Sequence, residues 1–319
     1  MERIRTEIGT VIACDENRNL TAMLDDGQEV IIPFSEVHKD ETAYDLSRHV
    51  GREIELVDTY RRSADGRKIY SHKIVEENDF EWLRYNFERG IRNTYWAHYR
   101  GITNNGTLAF YKIGDTTING AISLKDFSLS HLYSYNDCVM PASIQVVITD
   151  ISDGKIKLSS IPGFIGFEET IEMLKLHPGS SPIGKASNKM PNSRSTMITI
   201  TPNVSTLIDG DYEGADVKVL ITSINSEKRK IKSHLDSVLA MPGKRKIDYN
   251  EYITKKPLPD FLLLDDYKSE NGYFKKRGGA ATAPTVHTAS ICEKIATDPT
   301  KSEKNPLAFF DSFLRSLAG

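Results

Sequence analysis

The chain lacks most of what marks a familiar enzyme or a membrane protein. Its three cysteines, Cys14, Cys138 and Cys292, lie far apart with no paired spacing. That leaves neither a disulfide framework nor a thiolate zinc pattern, and a reducing compartment is expected. No apolar run approaches the roughly 18 residues of a membrane span. The opening Met1-Glu2-Arg3-Ile4-Arg5 leads into no apolar stretch, so no signal peptide is expected and the cytoplasm is the economical location. An excess of one charge is missing as well. Lys and Arg number 41 against 44 Asp and Glu, a formal net charge of -3, which argues against coating nucleic acid by bulk charge but leaves room for a local basic face.

Catalytic signatures are also missing. The eight histidines are scattered, with no His-x-x-x-His spacing. There is no P-loop and no dinucleotide glycine motif, and Gly163-Phe164-Ile165-Gly166 is too short to be a phosphate loop. Asp25-Asp26, Glu76-Glu77 and Asp265-Asp266 read as turn or surface charges. The expectation is a protein that is not an enzyme, with no catalytic set, no metal and no cofactor.

What is present is a repeat. Three times a strand-like segment ends on a basic residue with a serine four positions on: Arg67 to Ser71, Lys155 to Ser159 and Arg229 to Ser233. Each copy follows an apolar run and a polar turn, such as Ile54 to Asp58 before Asp65-Gly66, and Ile144 to Ile148 before Asp153-Gly154. A spacing of roughly 75–90 residues is too long for a solenoid unit and fits a string of small domains. Strand and turn signals in the first unit give five short strands with a longer connection between the third and fourth, the layout of an OB-type barrel.

The expected fold is therefore mainly β: three tandem five-stranded OB-type barrels joined by short helices, with a flexible tail that ends in a short helix. The boundaries are 1–77 for the first unit, 78–93 for a connecting helix, 94–161 for the second unit and 162–179 for another connecting helix. A degenerate third unit covers 180–240, a basic and partly disordered linker 241–303, and an amphipathic helix 304–319. In that last helix Phe310, Phe313, Leu314 and Leu317 fall on one face and need a partner surface.

The repeat resembles the RNA-binding domain family named after the ribosomal protein S-one. The resemblance rests on Gly9-Thr10-Val11, Ile32 to Val37, Val50-Gly51 and Arg67 to Lys73 in the first unit. It continues in Gly120 to Leu124 and Lys155 to Ser159 in the second, and in Pro202 to Asp209 and Gly214 to Ser233 in the third. It implies RNA binding on a face of aromatic and basic side chains. In the first unit the places for the family's strand aromatics and for its histidine near the end of the third strand hold Leu20, Ala22 and Pro33, so a stacking platform is not expected there.

The second unit carries the rings Tyr95, Trp96, Tyr99, Phe110 and Tyr111, with Lys112, His98 and Arg100 nearby. Phe110 and Tyr111 point to opposite sides of one strand, so only one of them can face out. Tyr95, Tyr99, Tyr111 and Lys112 are the candidate RNA contacts, against the alternative that the tyrosines are half-buried and Trp96 and Phe110 are core. Arg229, Lys230, Lys232 and His234 are the candidates in the third unit, against a solvated strand edge. The basic hairpin around Arg61, Arg62, Arg67 and Lys68 reads as such an edge. The expected function is binding of single-stranded nucleic acid, RNA foremost, in a ribosome- or mRNA-associated setting. The alternative is a structural or adaptor protein of a larger assembly that docks through its C-terminal helix.

Overall fold

In a computed structural model, residues 1–38, 45–129, 134–189, 194–240 and 247–263 are described. The first five strands are β1 (Glu7–Cys14), β2 (Leu20–Leu24), β3 (Glu29–Ile32), β4 (Glu53–Arg62) and β5 (Lys68–Ser71). They close into a barrel in the order β1-β2-β3-β5-β4. Alternation along β2 and β3 sends Leu20, Ala22, Leu24, Val30 and Ile32 inward, where Val11, Leu56 and Tyr70 complete the core. Short aliphatic side chains fill this small barrel.

Helix α1 (Lys73–Glu88) follows directly. It starts and ends about a turn before the expected 78–93. The Ser71 hydroxyl accepts the Ile74 N–H at 3.1 Å, which starts the helix at the end of β5. Gly90, in the left-handed region at φ 63°, ends it. The helix is a bolt between units. Buried Asp79 accepts from the Arg3 guanidinium at 2.6 and 3.0 Å and from the Thr117 N–H at 2.7 Å. A carboxylate taken out of water needs this degree of pairing.

The second barrel contains β6 (Thr94–Ile102), β7 (Leu108–Ile113), β8 (Asn119–Ser123), β10 (Ser143–Ser152) and β11 (Lys155–Ser159). A single-turn helix α2 (Leu124–Phe127) and the short β9 (Cys138–Val139) lie between β8 and β10. It closes as β10-β11-β8-β7-β6, the same cyclic order as the first. Gly120 lets β8 lie against β11, because a Cβ there would fall 2.5 Å from Leu158 Cδ1. The core is aromatic: Tyr95, Tyr111, Phe127, Tyr135 and Phe164 pack with Ile113, Ile122, Ile144 and Leu158.

The second expected helix, 162–179, is mostly irregular. One 3-10 turn (Ile161–Gly163) and a seven-residue helix α3 (Phe167–Met173) occupy it. Then come β12 (Ile183–Lys189), β13 (Ser195–Thr201), β14 (Val204–Asp209), β15 (Asp216–Asn225) and β16 (Lys230–Ala240). They form a five-stranded sheet in the order β14-β13-β12-β15-β16. Among the described residues a third closed barrel is therefore not formed. The order is that of the other two units with the ring open between its third and fifth strands.

The serine that ends each repeat sits at this seam. Ser71 and Ser159 are fully buried. The Ser71 hydroxyl donates to the Glu36 carbonyl at 3.5 Å, and the Ser159 hydroxyl donates to the Asp126 carbonyl at 2.9 Å. Backbone bonds reinforce both contacts, His72 N–H to the Glu36 carbonyl and Ser160 N–H to the Asp126 carbonyl, each at 2.9 Å. The serine thus ties the fifth strand to the turn that follows the third. In the open sheet no such turn follows β14, and Ser233 meets Thr206 on β14 itself.

Part of the expected linker 241–303 is a strap. Residues 247–263 return to the second barrel, where β17 (Ile247–Asp248) pairs with β9. Tyr249 enters that barrel's core beside Phe127 and Phe164. Further along, Gln145 donates to the Lys256 carbonyl and accepts the Leu258 N–H, both at 2.8 Å. Asn93 bonds both backbone groups of Leu262, at 2.8 and 2.9 Å. Apolar burial and backbone pairing order a stretch whose composition reads as linker. The rest of the expected linker and the helix 304–319, with Phe310, Phe313, Leu314 and Leu317, lie outside the described residues. Among the described residues no helix is long and apolar enough to cross a membrane.

Candidate nucleic-acid interface

Strand parity decides which side chains of the second barrel face out. On β6 the inward set is Tyr95, Ala97 and, at the barrel's end, half-buried Tyr99. On β7 it is Ala109, Tyr111 and Ile113. Tyr95 and Tyr111 are 5% and 0% exposed. This corrects the expected platform. Tyr111 sits edge-on to Tyr99 at 5.6 Å between centroids and donates its hydroxyl to the Pro141 carbonyl at 3.2 Å. Burial raises the pKa of Tyr95 to about 12 and pushes that of Tyr111 well above the phenol range. These rings hold the barrel and offer no face to a base.

The outward set is different. On β6 it is Trp96, His98 and Arg100, and on β7 it is Phe110 and Lys112. Trp96 is 48% exposed, so the alternative that placed it in the core is also corrected. Register places His98 opposite Lys112, and Phe110 between Gly101 and Ala121. Lys157 on β11 lies next to Ala121, which extends the row across β8. The result is one outer face on which two rings alternate with cations. Lys157 is held by Asp150 at 2.6 Å, whereas Arg100 and Lys112 have no ion pair among the described residues. Next to Trp96, across the β6–β10 ladder, is Gln145, so the strap borders this face on one side.

In the third unit Lys230, Lys232 and His234 occupy alternate exposed positions of β16 and share one outer face. Arg229 stands in the hairpin before them, with a left-handed φ of 48°. Leu220 of β15 lies opposite His234, and no ring joins the row. Lys230, Lys232 and His234 thus share one strand face, and Arg229 precedes it by one residue.

The first barrel offers less. Three of its four hairpin cations are ion-paired, Arg61 with Glu36 at 2.5 Å, Arg67 with Asp65 at 2.7 Å and Lys68 with Asp58 at 3.9 Å, and Arg62 donates to the Gly66 carbonyl at 2.9 Å. The outer positions of β2 and β3 hold Thr21, Met23, Glu29 and Ile31. Among the described residues one ring stands clear. Tyr60, 90% exposed, rides a bulge of β4 with φ 59°, and its N–H is held by the Asp58 carboxylate at 2.7 Å. The repeat gave no hint of it, because a bulge breaks the alternation on which such a reading depends.

Below this barrel His38, His72 and Glu76 come within ligand distance of one another. A search for paired histidines passes over them, because the local pair in the chain is His72-x-x-x-Glu76.

No protein-family model matches the chain, and neither does any curated protein. Among solved structures, a multidomain protein with nucleic acid binding domains from Streptococcus pneumoniae TIGR4 shares 10% identity over 73% of each chain, with a TM-score of 0.23. Drosophila Unr CSD456 shares 10% identity over 74% of this chain and 98% of its own, with a TM-score of 0.20. At such scores neither superposition fixes a fold or a function for this chain.

Proposed function

We propose that the chain binds single-stranded nucleic acid, RNA foremost, on the outer face of β6, β7 and β8, and that it performs no chemistry on it. The observation that carries this reading is the outward alternation of Trp96 and Phe110 with His98, Arg100 and Lys112 on a closed barrel. Bases need π-faces, each worth about 1–3 kcal/mol when stacked, and phosphates need cations. Strands 2 and 3 of a five-stranded barrel are where this fold presents single strands. Lys230 and Lys232, on the strand face that also carries His234, supply a second contact without rings, and two weak sites on one chain gain by avidity. The resemblance of the repeat to the ribosomal S-one domain favours RNA over DNA and a ribosome- or mRNA-associated role in the cytoplasm.

The test is fluorescence anisotropy of the full chain with mixed-sequence oligoribonucleotides across a salt series. Trp96→Ala and Phe110→Ala each weaken binding by about 5- to 150-fold, the equivalent of one lost stack. Arg100→Ala and Lys112→Ala flatten the salt dependence. If the wild-type chain shows no salt-sensitive binding, this reading is abandoned for the structural or adaptor role.

A further inference from the structure

We infer that His38, His72 and Glu76 form a binding site for a divalent first-row metal ion of the zinc class, outside the nucleic-acid face. Two segments far apart in the chain deliver the ligands. His38 follows the 3-10 turn after β3, His72 is the N-cap of α1, and Glu76 lies one helical turn further on. Glu76 Oε1 is 2.9 Å from His38 Nδ1 and 3.6 Å from His72 Nε2. Ligand atoms around a tetrahedral ion with bonds of 2.0–2.1 Å stand about 3.3 Å apart. The spacing is therefore that of a coordination shell as much as of a hydrogen-bond cluster. Two imidazoles and one carboxylate suit Zn2+ or Co2+ and disfavour Mg2+ and Ca2+, which take oxygen-only shells.

The surroundings orient these atoms as a metal site requires. His72 Nδ1 lies 2.7 Å from the Glu55 carbonyl. A carbonyl can only accept, so Nδ1 carries the proton and Nε2 presents its lone pair toward Glu76. That is the outer contact which fixes the tautomer of a metal-bound histidine. His38 has an equivalent. Its Nε2 lies 3.2 Å from Nε2 of His49, at the end of the 3-10 turn Leu46–His49. When the metal takes His38 Nδ1, the ring proton moves to Nε2 and His49 accepts it. His49 then carries its own proton on Nδ1. The side chains of His38, Glu76 and His72 keep 25, 19 and 11% of their surface. A solvent water would supply the fourth ligand. Bound metal would clamp the connection between β3 and β4 to α1, which also carries Asp79.

The experiment is titration of chelator-stripped full chain with Zn2+ against a chromophoric competitor, and with Co2+ followed by its visible absorption. One ion per chain is expected, with the intense visible bands of tetrahedral cobalt and a rise in melting temperature on adding Zn2+. Glu76→Gln, which keeps the shape, and His38→Ala abolish the one-to-one binding and the thermal shift. His49→Ala weakens affinity by about 10- to 100-fold, as loss of an outer-shell partner does. His177→Ala changes nothing. Circular dichroism of each variant without metal separates loss of a ligand from loss of fold. Absence of stoichiometric binding to the wild type, or wild-type affinity in folded Glu76→Gln and His38→Ala, overturns the assignment.

Discussion

The hydroxyls of Thr206 and Ser233 meet at 2.9 Å across the gap where the two barrels carry a backbone ladder. In those barrels the seam between third and fifth strands is sealed by parallel pairing, Ile31 with Ile69 and Ala121 with Lys157. In the third unit β14 and β16 share no ladder, and Thr206 bridges to both the Ser233 hydroxyl and the Ile231 carbonyl, at 2.9 and 3.2 Å. Side chains thus stand in for the missing backbone bonds.

Thr206→Val keeps the shape and removes both bonds from a buried position. It leaves the Ile231 carbonyl and the Ser233 hydroxyl short of a partner, at a cost of about 1–3 kcal/mol. The loss is expected in β14 and β16. Hydrogen exchange should show faster exchange in those strands while the second barrel's core amides keep their protection. Uniform loss of protection, or none, would disprove the local seam.

How much of this was legible beforehand follows from where each contact lies in the chain. The serine of the repeat was visible at Ser71, Ser159 and Ser233, and all three do stand at the seam. Two closed barrels follow from local alternation and turns. Closure of the third was not readable, because pairing of β14 with β16 depends on a turn after β14 that this unit lacks. The ring error at Tyr95 and Tyr111 is one of parity. Lys112 belongs outside a barrel, which sends its neighbour Tyr111 in and Phe110 out. Trp96 follows in the same way from His98 and Arg100. The strap was hidden for another reason. Asn93 and Leu262 are 169 positions apart, and no local pattern announces such a pair.

Asn93 also yields a prediction. Its side chain copies a peptide unit, giving one N–H and taking another from Leu262. Thr94 adds a bond from its hydroxyl to the Pro259 carbonyl at 2.6 Å. Asn93→Leu removes both amide contacts from a buried place and should cost about 1–3 kcal/mol in urea unfolding. Protease cleavage between 255 and 263 should accelerate. A variant as stable and as resistant as wild type would show that the Asn93 amide does not hold the strap.

The buried tyrosines set the alkaline limit of the fold. Desolvation raises the pKa of Tyr95 to about 12, against a small opposing effect of the Arg92 guanidinium 4.8 Å above its ring. Desolvation raises Tyr111, Tyr135 and Tyr249 further. In the unfolded chain these phenols ionise near pH 10. Above that pH the folded state holds more protons than the unfolded one, so stability falls as pH rises. The contribution is complete below about pH 10 and drains away as the pH climbs toward and past 12. Absorbance at 295 nm should therefore rise in two stages. The later stage belongs to the buried phenols, which ionise in a cooperative step that coincides with loss of circular dichroism. Tyr95→Phe loses only a hydroxyl contact of 3.5 Å to the Arg92 carbonyl. It should be nearly neutral at pH 7 and move the cooperative step to higher pH. A single smooth titration of all phenols near 10, with the fold intact, would mean that these rings are not sealed in the barrel, and the outward assignment of Trp96 and Phe110 would fall with it.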